Sequence, residues 1–150
     1  MGIYTELRAR HQKEYNAFPI HFAFGDDQIN AKISELKLSK DHKKRAKQIV
    51  AIGCGGFVLK KDYPAYHDMC KRHCRERAEA MANDEKNGTG YLYDMFHSEL
   101  LNHEYGYTCE YDDTLASLGL TLAEVNANPR MKAALEQAAF DIRQANGYEF

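Results

Sequence analysis

The sequence predicts an α+β fold, with a small β-sheet of two to four strands packed by several helices and followed by a C-terminal helical tail. Three observations predict it. Two segments, 18–24 and 48–60, are rich in aromatic and β-branched residues and are interrupted or bounded by glycine. Stretches near 4–15, 27–37, 63–85 and 91–105 carry apolar residues at helical spacing. From Thr114 onward, cap and stop residues recur at short intervals, as in short helices followed by a longer one. The 150 residues contain no linker, repeat or low-complexity run, and a chain of this length can bury its own core, so a single domain over 1–150 is expected.

The elements follow in order. Leu7, His11 and Tyr15 stand four apart in a weakly amphipathic helix that ends before Phe18-Pro19, because the residue preceding proline is pushed toward extended geometry. FPIHFAF then alternates, placing Phe18, Ile20, Phe22 and Phe24 on one strand face and His21 and Ala23 on the other. Gly25-Asp26-Asp27 breaks this strand and supplies an N-cap to a helix marked by Ile29, Ile33 and Leu36. After a basic stretch from Lys40 to Lys47, QIVAIGCGGFVLKK reads as two strands joined at Gly53-Cys54-Gly55-Gly56, or as one bulged strand. Asp62-Tyr63-Pro64 opens a helix running to Glu85, and Asn87-Gly88-Thr89-Gly90 closes it. The next helix carries Leu92, Phe96 and Leu100 and stops at Gly106. In the tail Gly119 closes one helix, Thr121 caps a second and Asn128-Pro129 a third, whose inward stripe is Met131, Leu135, Ala138 and Ile142.

Composition excludes several function classes. With 44% hydrophobic and 28% charged residues the chain is neither disordered nor fibrous. A formal charge of -2 gives no bulk attraction to phosphate and does not make an acidic mimic of DNA. The opening MGIYTELRARHQ lacks a signal-peptide core, Glu6 departs from the myristoylation pattern, and no window is apolar enough to span a bilayer, so a cytoplasmic protein without membrane attachment is expected. Cys54, Cys70, Cys74 and Cys109 are read as free thiols or metal candidates in that compartment. No cofactor motif is present.

Three constellations could carry chemistry. On a helical wheel Leu92, Phe96, Glu99 and His103 share a face, so a carboxylate and an imidazole are set together on an apolar side. Such a pair is either a hydrogen-bonded structural couple or a general acid/base pair, and both readings stay open. His97 and Glu104 point elsewhere, and the spacing is not that of a zinc protease. On the earlier helix Cys70 and Cys74 lie near His73 and Arg77; buried thiols packing as small hydrophobes are expected there in preference to a metal site. Gly53-Cys54-Gly55-Gly56 is a tight turn or bulge, with an anion cradle as the alternative. Tyr91, Tyr93, Tyr105, Tyr107 and Tyr111 gather around the polar helix and suit a core rim or a binding surface. A binding role falls to Asp94, Asn102, His103, Glu104, Tyr105 and Tyr107, with Gly55 and Gly56 for a phosphate; a catalytic alternative rests on Glu99 and His103.

DMFHSELLNHEYGYTCEYDDTLASLGLT, with FPIHFAF and GCGGFVLKKD, resembles a family of small uncharacterised proteins from gut bacteria, their phages and mobile elements. The resemblance implies an accessory protein that acts by binding, as an inhibitor of a host antiphage system, on a defence nuclease, another defence protein or a nucleic-acid complex. A small enzyme or nucleotide-binding protein using the Glu/His pair is the competing expectation.

Overall fold

The computed structural model describes residues 2–84 and 90–147. The protein is α+β, and its chain divides into two compact units, Met1–Arg10 with Glu76–Phe150 and His11–Arg75. Helices α1 (Ile3–Ala17) and α4 (Tyr63–Ala82) each contribute residues to both.

In the first unit, α5 (Tyr91–Asn102) is the central element. Its Leu92, Met95, Phe96 and Leu100 are sealed from solvent, each burial contributing about 1.5–3 kcal/mol. The alanines of α9 (Pro129–Ala145) at 134, 138 and 139 let that helix lie close against α5, and Leu135 and Ile142 complete its buried stripe. Met131 lies at the edge of the same cluster, partly buried. The tail is punctuated as the sequence predicts. Gly119 takes φ +69 after α7 (Asp112–Ser117), and the Thr121 hydroxyl accepts from the Glu124 amide at the start of α8 (Leu122–Ala127). Asn128 caps α9 by accepting from the amides of Arg130 and Met131.

The helix expected over 91–105 is interrupted. It ends at Asn102, Glu104 adopts a left-handed φ of +59, and a short α6 (Tyr105–Thr108) follows. The helix thus stops before Gly106, which lies within α6, where a Cβ would meet the Asn146 side chain. The helix expected to reach Glu85 is seen to Ala82; Glu85 and Asn87 to Thr89 lie outside the described residues.

The second unit holds a three-stranded antiparallel sheet in the order β1-β3-β2, from β1 (His21–Phe22), β2 (Ile49–Gly53) and β3 (Gly56–Leu59). The register pairs His21 and Ala51 with Phe57, and Phe22 with Gly56. Partners across a ladder share a face, so Phe22, Gly56, Val58 and Val50 lie on one side and His21, Phe57 and Ala51 on the other. Gly53, Cys54 and Gly55 all take positive φ at the hairpin tip. A Cβ on Gly55 would overlap the Phe24 ring, and one on Gly56 would meet Phe22 at 3.0 Å, so these two glycines make room for aromatic rings.

Two local expectations are corrected here. Helix α2 (Asp26–Glu35) is entered through Gly25, which makes no side-chain cap, while Asp26 and Asp27 fall in its first turn and favour it through the helix dipole. In α4 the buried positions are Met69 and His73; Cys74 is exposed and Cys70 half-buried, because each lies one residue, or about 100°, beyond the buried stripe. The basic stretch also contains an unanticipated turn of helix, α3 (His42–Arg45), capped by Asp41, which accepts from the amides of Lys43 and Lys44.

Candidate functional site

The polar centre of the first unit is built around Glu99, which α5 places on the same side as its apolar residues and leaves only 5% exposed. A carboxyl group buried at that depth needs donors, and they come from α1. The Tyr4 hydroxyl donates to Oε1 at 2.7 Å and the Arg8 guanidinium to the same oxygen at 2.8 Å. The Asn102 amide reaches it at 3.4 Å, and Ser117 Oγ stands 3.5 Å from Oε2. Burial, reinforced by the bond to Glu99, pushes the Tyr4 hydroxyl above the ordinary tyrosine range, so it keeps its proton and remains a donor.

His103 does not form a simple acid/base couple with that carboxyl group. Its Nδ1 is 2.7 Å from the main-chain carbonyl of Glu99 and 3.8 Å from Oε2. A carbonyl only accepts, so Nδ1 carries a hydrogen and Nε2 is the nitrogen left for other chemistry. The same carbonyl accepts from the His103 amide at 3.1 Å and lies 3.4 Å from the Thr114 hydroxyl. The imidazole thus adds a side-chain bond to a carbonyl that already closes the last turn of α5.

The remaining sequence-predicted residues have distinct positions. Asp94 accepts from both the amide and the hydroxyl of Thr5 at 2.9 Å, satisfying a first-turn donor of α1 from a remote position. Tyr105 is buried, accepts from the Arg143 guanidinium at 3.0 Å and stacks on Tyr111. Tyr91 is buried as well, and Tyr93 donates to Asp141 at 2.6 Å. Most of the tyrosine cluster is therefore core and core rim; Tyr107, at 88% exposed, is the member that faces solvent. Asn102 and Glu104 are exposed beside it in sequence. Gly55 and Gly56 belong to the other unit, where they seat Phe24 and Phe22.

Sequence reasoning missed Tyr4, Arg8 and Asp84. The buried Asp84 carboxylate accepts from the Leu92 amide at 2.9 Å and so holds the beginning of α5, while Arg130 donates to the carbonyls of Asp84 and Ala82. The first unit also holds a pocket of ≈ 560 Å³, with Glu6, Arg10, Glu76, Glu79, Asp84 and Tyr91 in its wall. Glu6, Glu76, Glu79 and Asp84 line it beside the apolar Ile3, Leu7 and Ala80, and Arg10 is paired with Glu76 at 3.4 Å. Among the described residues no group of three or more His, Cys, Asp or Glu side chains is placed to hold a metal ion.

The charge of -2 also resolves into two opposed parts. Residues 11–75 contain thirteen Lys/Arg and seven Asp/Glu, a formal +6, whereas residues 1–10 and 76–150 contain seven and fifteen, a formal -8.

The fold and this polar centre define a small α+β protein with a helical unit organised on a buried glutamate and a sheet-bearing basic unit. The chain belongs to the DUF7659 family, a family of unknown function, which it matches over residues 3–141. No curated protein and no solved structure matches it. No helix among the described residues is long and apolar enough to cross a membrane.

Proposed function

We propose that the protein acts by binding, and that its acidic first unit docks on the basic face of a host defence nuclease or nucleic-acid complex. In the phage and mobile-element setting implied by the sequence resemblance, this makes it an inhibitor of an antiphage system. One observation carries the reading. Residues 101–129 contain no Lys or Arg, and within them Asn102, Glu104, Glu110, Asp112 and Asp113 are exposed, as is Tyr107. A stretch with exposed carboxylates and one bare tyrosine suits the nucleic-acid-binding surface of a partner, because it offers negative charge where phosphates would sit and an aromatic anchor for an interface. The test is capture from a host lysate on immobilised wild-type protein and on a Tyr107→Ala/Glu104→Lys variant, followed by assay of the captured protein. A basic nucleic-acid enzyme that is lost with the variant and inhibited by the wild type supports the reading. Recovery of the same background proteins by both overturns it.

A second reading is favoured by His103. Its Nδ1 is anchored, which leaves Nε2 oriented as a proton acceptor for a small ligand or nucleotide, with Glu99 behind it. A thermal-shift screen against nucleotides separates the two readings, since a ligand at one hundred times its Kd stabilises the folded state by about 2.7 kcal/mol. A shift abolished by His103→Ala favours this second reading; no shift removes it.

A further inference from the structure

We propose that the second unit is a binding site for single-stranded nucleic acid, with Phe22 and Phe24 as base-stacking platforms and the Lys37–Lys61 segment as the phosphate contact. Two independent observations meet there. The first is an aromatic pair that the fold leaves bare. Phe22 is 44% and Phe24 60% exposed, and their rings lie nearly parallel, 13° apart with centroids 6.3 Å from each other. Exposed phenylalanines oppose the burial that normally governs this residue. They are also held in place: Phe24 stands over Gly55 and Phe22 over Gly56, and the Phe24 amide donates to the Gln28 side chain at 2.8 Å. The glycines of the hairpin thus seat one side of the pair and leave the other open.

The second observation is charge. Between Lys37 and Lys61 the chain carries eight Lys/Arg and one acidic residue, Asp41, whose carboxylate is occupied as the cap of α3. Seven of the eight are exposed lysines: Lys37, Lys40, Lys43, Lys44, Lys47, Lys60 and Lys61. They gather at the end of the sheet opposite the hairpin tip. The Lys60 amide donates to the Gln48 carbonyl, the Gln48 side chain accepts from the Ser39 amide, and Arg45 donates to the Ser39 carbonyl. The five residues of β2 separate this basic end from the glycine turn, a span of about 16 Å at ~3.3 Å per residue.

Aromatic platforms at one end and ammonium groups at the other match an extended strand of a few nucleotides, with bases on the rings and the backbone running toward the lysines. Asp26 and Asp27 follow Phe24 after Gly25 and repel phosphate, which sets that direction. A duplex fits poorly, because its bases are stacked on one another and offer the rings no free face. An acidic peptide satisfies the lysines and leaves the phenylalanines unused.

The test is fluorescence anisotropy of the full chain with labelled poly(dT) and poly(U) of about 12 nucleotides, within the usual site sizes for such surfaces. A duplex of equal length, polyglutamate and phosphatidylserine vesicles serve as competitors. Binding of either homopolymer supports the proposal. The expected result is binding that weakens with salt, that the duplex and polyglutamate compete for poorly, and that falls about 5- to 150-fold for each of Phe22→Ala and Phe24→Ala. Lys43→Glu/Lys44→Glu flattens the salt dependence. Because both rings are exposed, circular dichroism of the phenylalanine variants verifies an intact fold, and Phe22→Leu/Phe24→Leu provides an apolar control that also loses binding. Unchanged affinity in the phenylalanine variants, or full displacement by polyglutamate or vesicles, overturns the proposal. Tyr107→Ala leaves this binding unaltered, so its failure is distinguishable from failure of the docking surface on the first unit.

Discussion

The Tyr4 hydroxyl donates to Glu99 across 95 positions of sequence, tying the first turn of α1 to the last turn of α5. Both side chains are buried, so neither can replace the other with water. Tyr4→Phe keeps the ring and removes the donor. Loss of about 1–3 kcal/mol is expected, measured by urea denaturation at neutral pH. A variant as stable as wild type would show that Arg8 and Asn102 satisfy the carboxyl group by themselves.

Glu14 gives the second unit an acid-sensitive contact. It accepts from Arg72 and lies 2.6 Å from Nε2 of His73, whose ring stacks on His11 with centroids 3.9 Å apart. The Arg72 bond first, and then the His73 bond, hold the carboxyl group at about 2, below its ordinary value of 4.5. A depressed folded-state value means the contact contributes fully above the unfolded value and is lost as pH falls from about 4.5 through about 2. Thermal melts across this window should show a steeper acid loss in wild type than in Glu14→Gln.

The tyrosines make the alkaline counterpart. Burial pushes Tyr91, Tyr93 and Tyr111 up to about 12, with the Asp141 bond adding to the effect at Tyr93. A raised value means that their neutral forms stabilise the fold fully below the ordinary value of 10.0 and that this is lost as pH rises toward 12. Absorbance titration near the phenolate band should therefore show a late group of tyrosines whose ionisation coincides with loss of helical circular dichroism. Asp141→Ala should advance the Tyr93 component alone.

Gly55→Ala tests the aromatic seat. The position has φ +76 and its Cβ would overlap the Phe24 ring, so the change costs about 1–2 kcal/mol of backbone strain and also displaces the ring. Gly119→Ala, with φ +69 and no atom within 4 Å of its Cβ, carries the strain alone. The difference between the two measures the ring displacement.

The features legible in sequence are those that act over a few residues. Thr121, Asn128 and Gly119 mark helix ends by bonding to their own neighbours or by taking a left-handed turn. The aromatic alternation of FPIHFAF points to a strand over 18–24, of which His21–Phe22 forms β1; Pro19 has no amide to offer a ladder. The break at His103 was hidden because Glu104 is no glycine and because the imidazole takes a carbonyl where the helix wheel pointed to a carboxylate. Tyr4 and Arg8 were hidden because their partner is 95 and 91 residues away. The cysteine face failed by one position on the wheel, within the error of reading a helix whose apolar stripe is thin.

The division of charge has a practical side. At its isoelectric point near 6.4 the chain is neutral only as a sum, since +6 and -8 reside on different stretches of it. It should adhere to both cation- and anion-exchange resins at that pH. At low ionic strength the basic unit of one copy should attract the acidic unit of another, giving reversible turbidity that clears when salt shortens the Debye length.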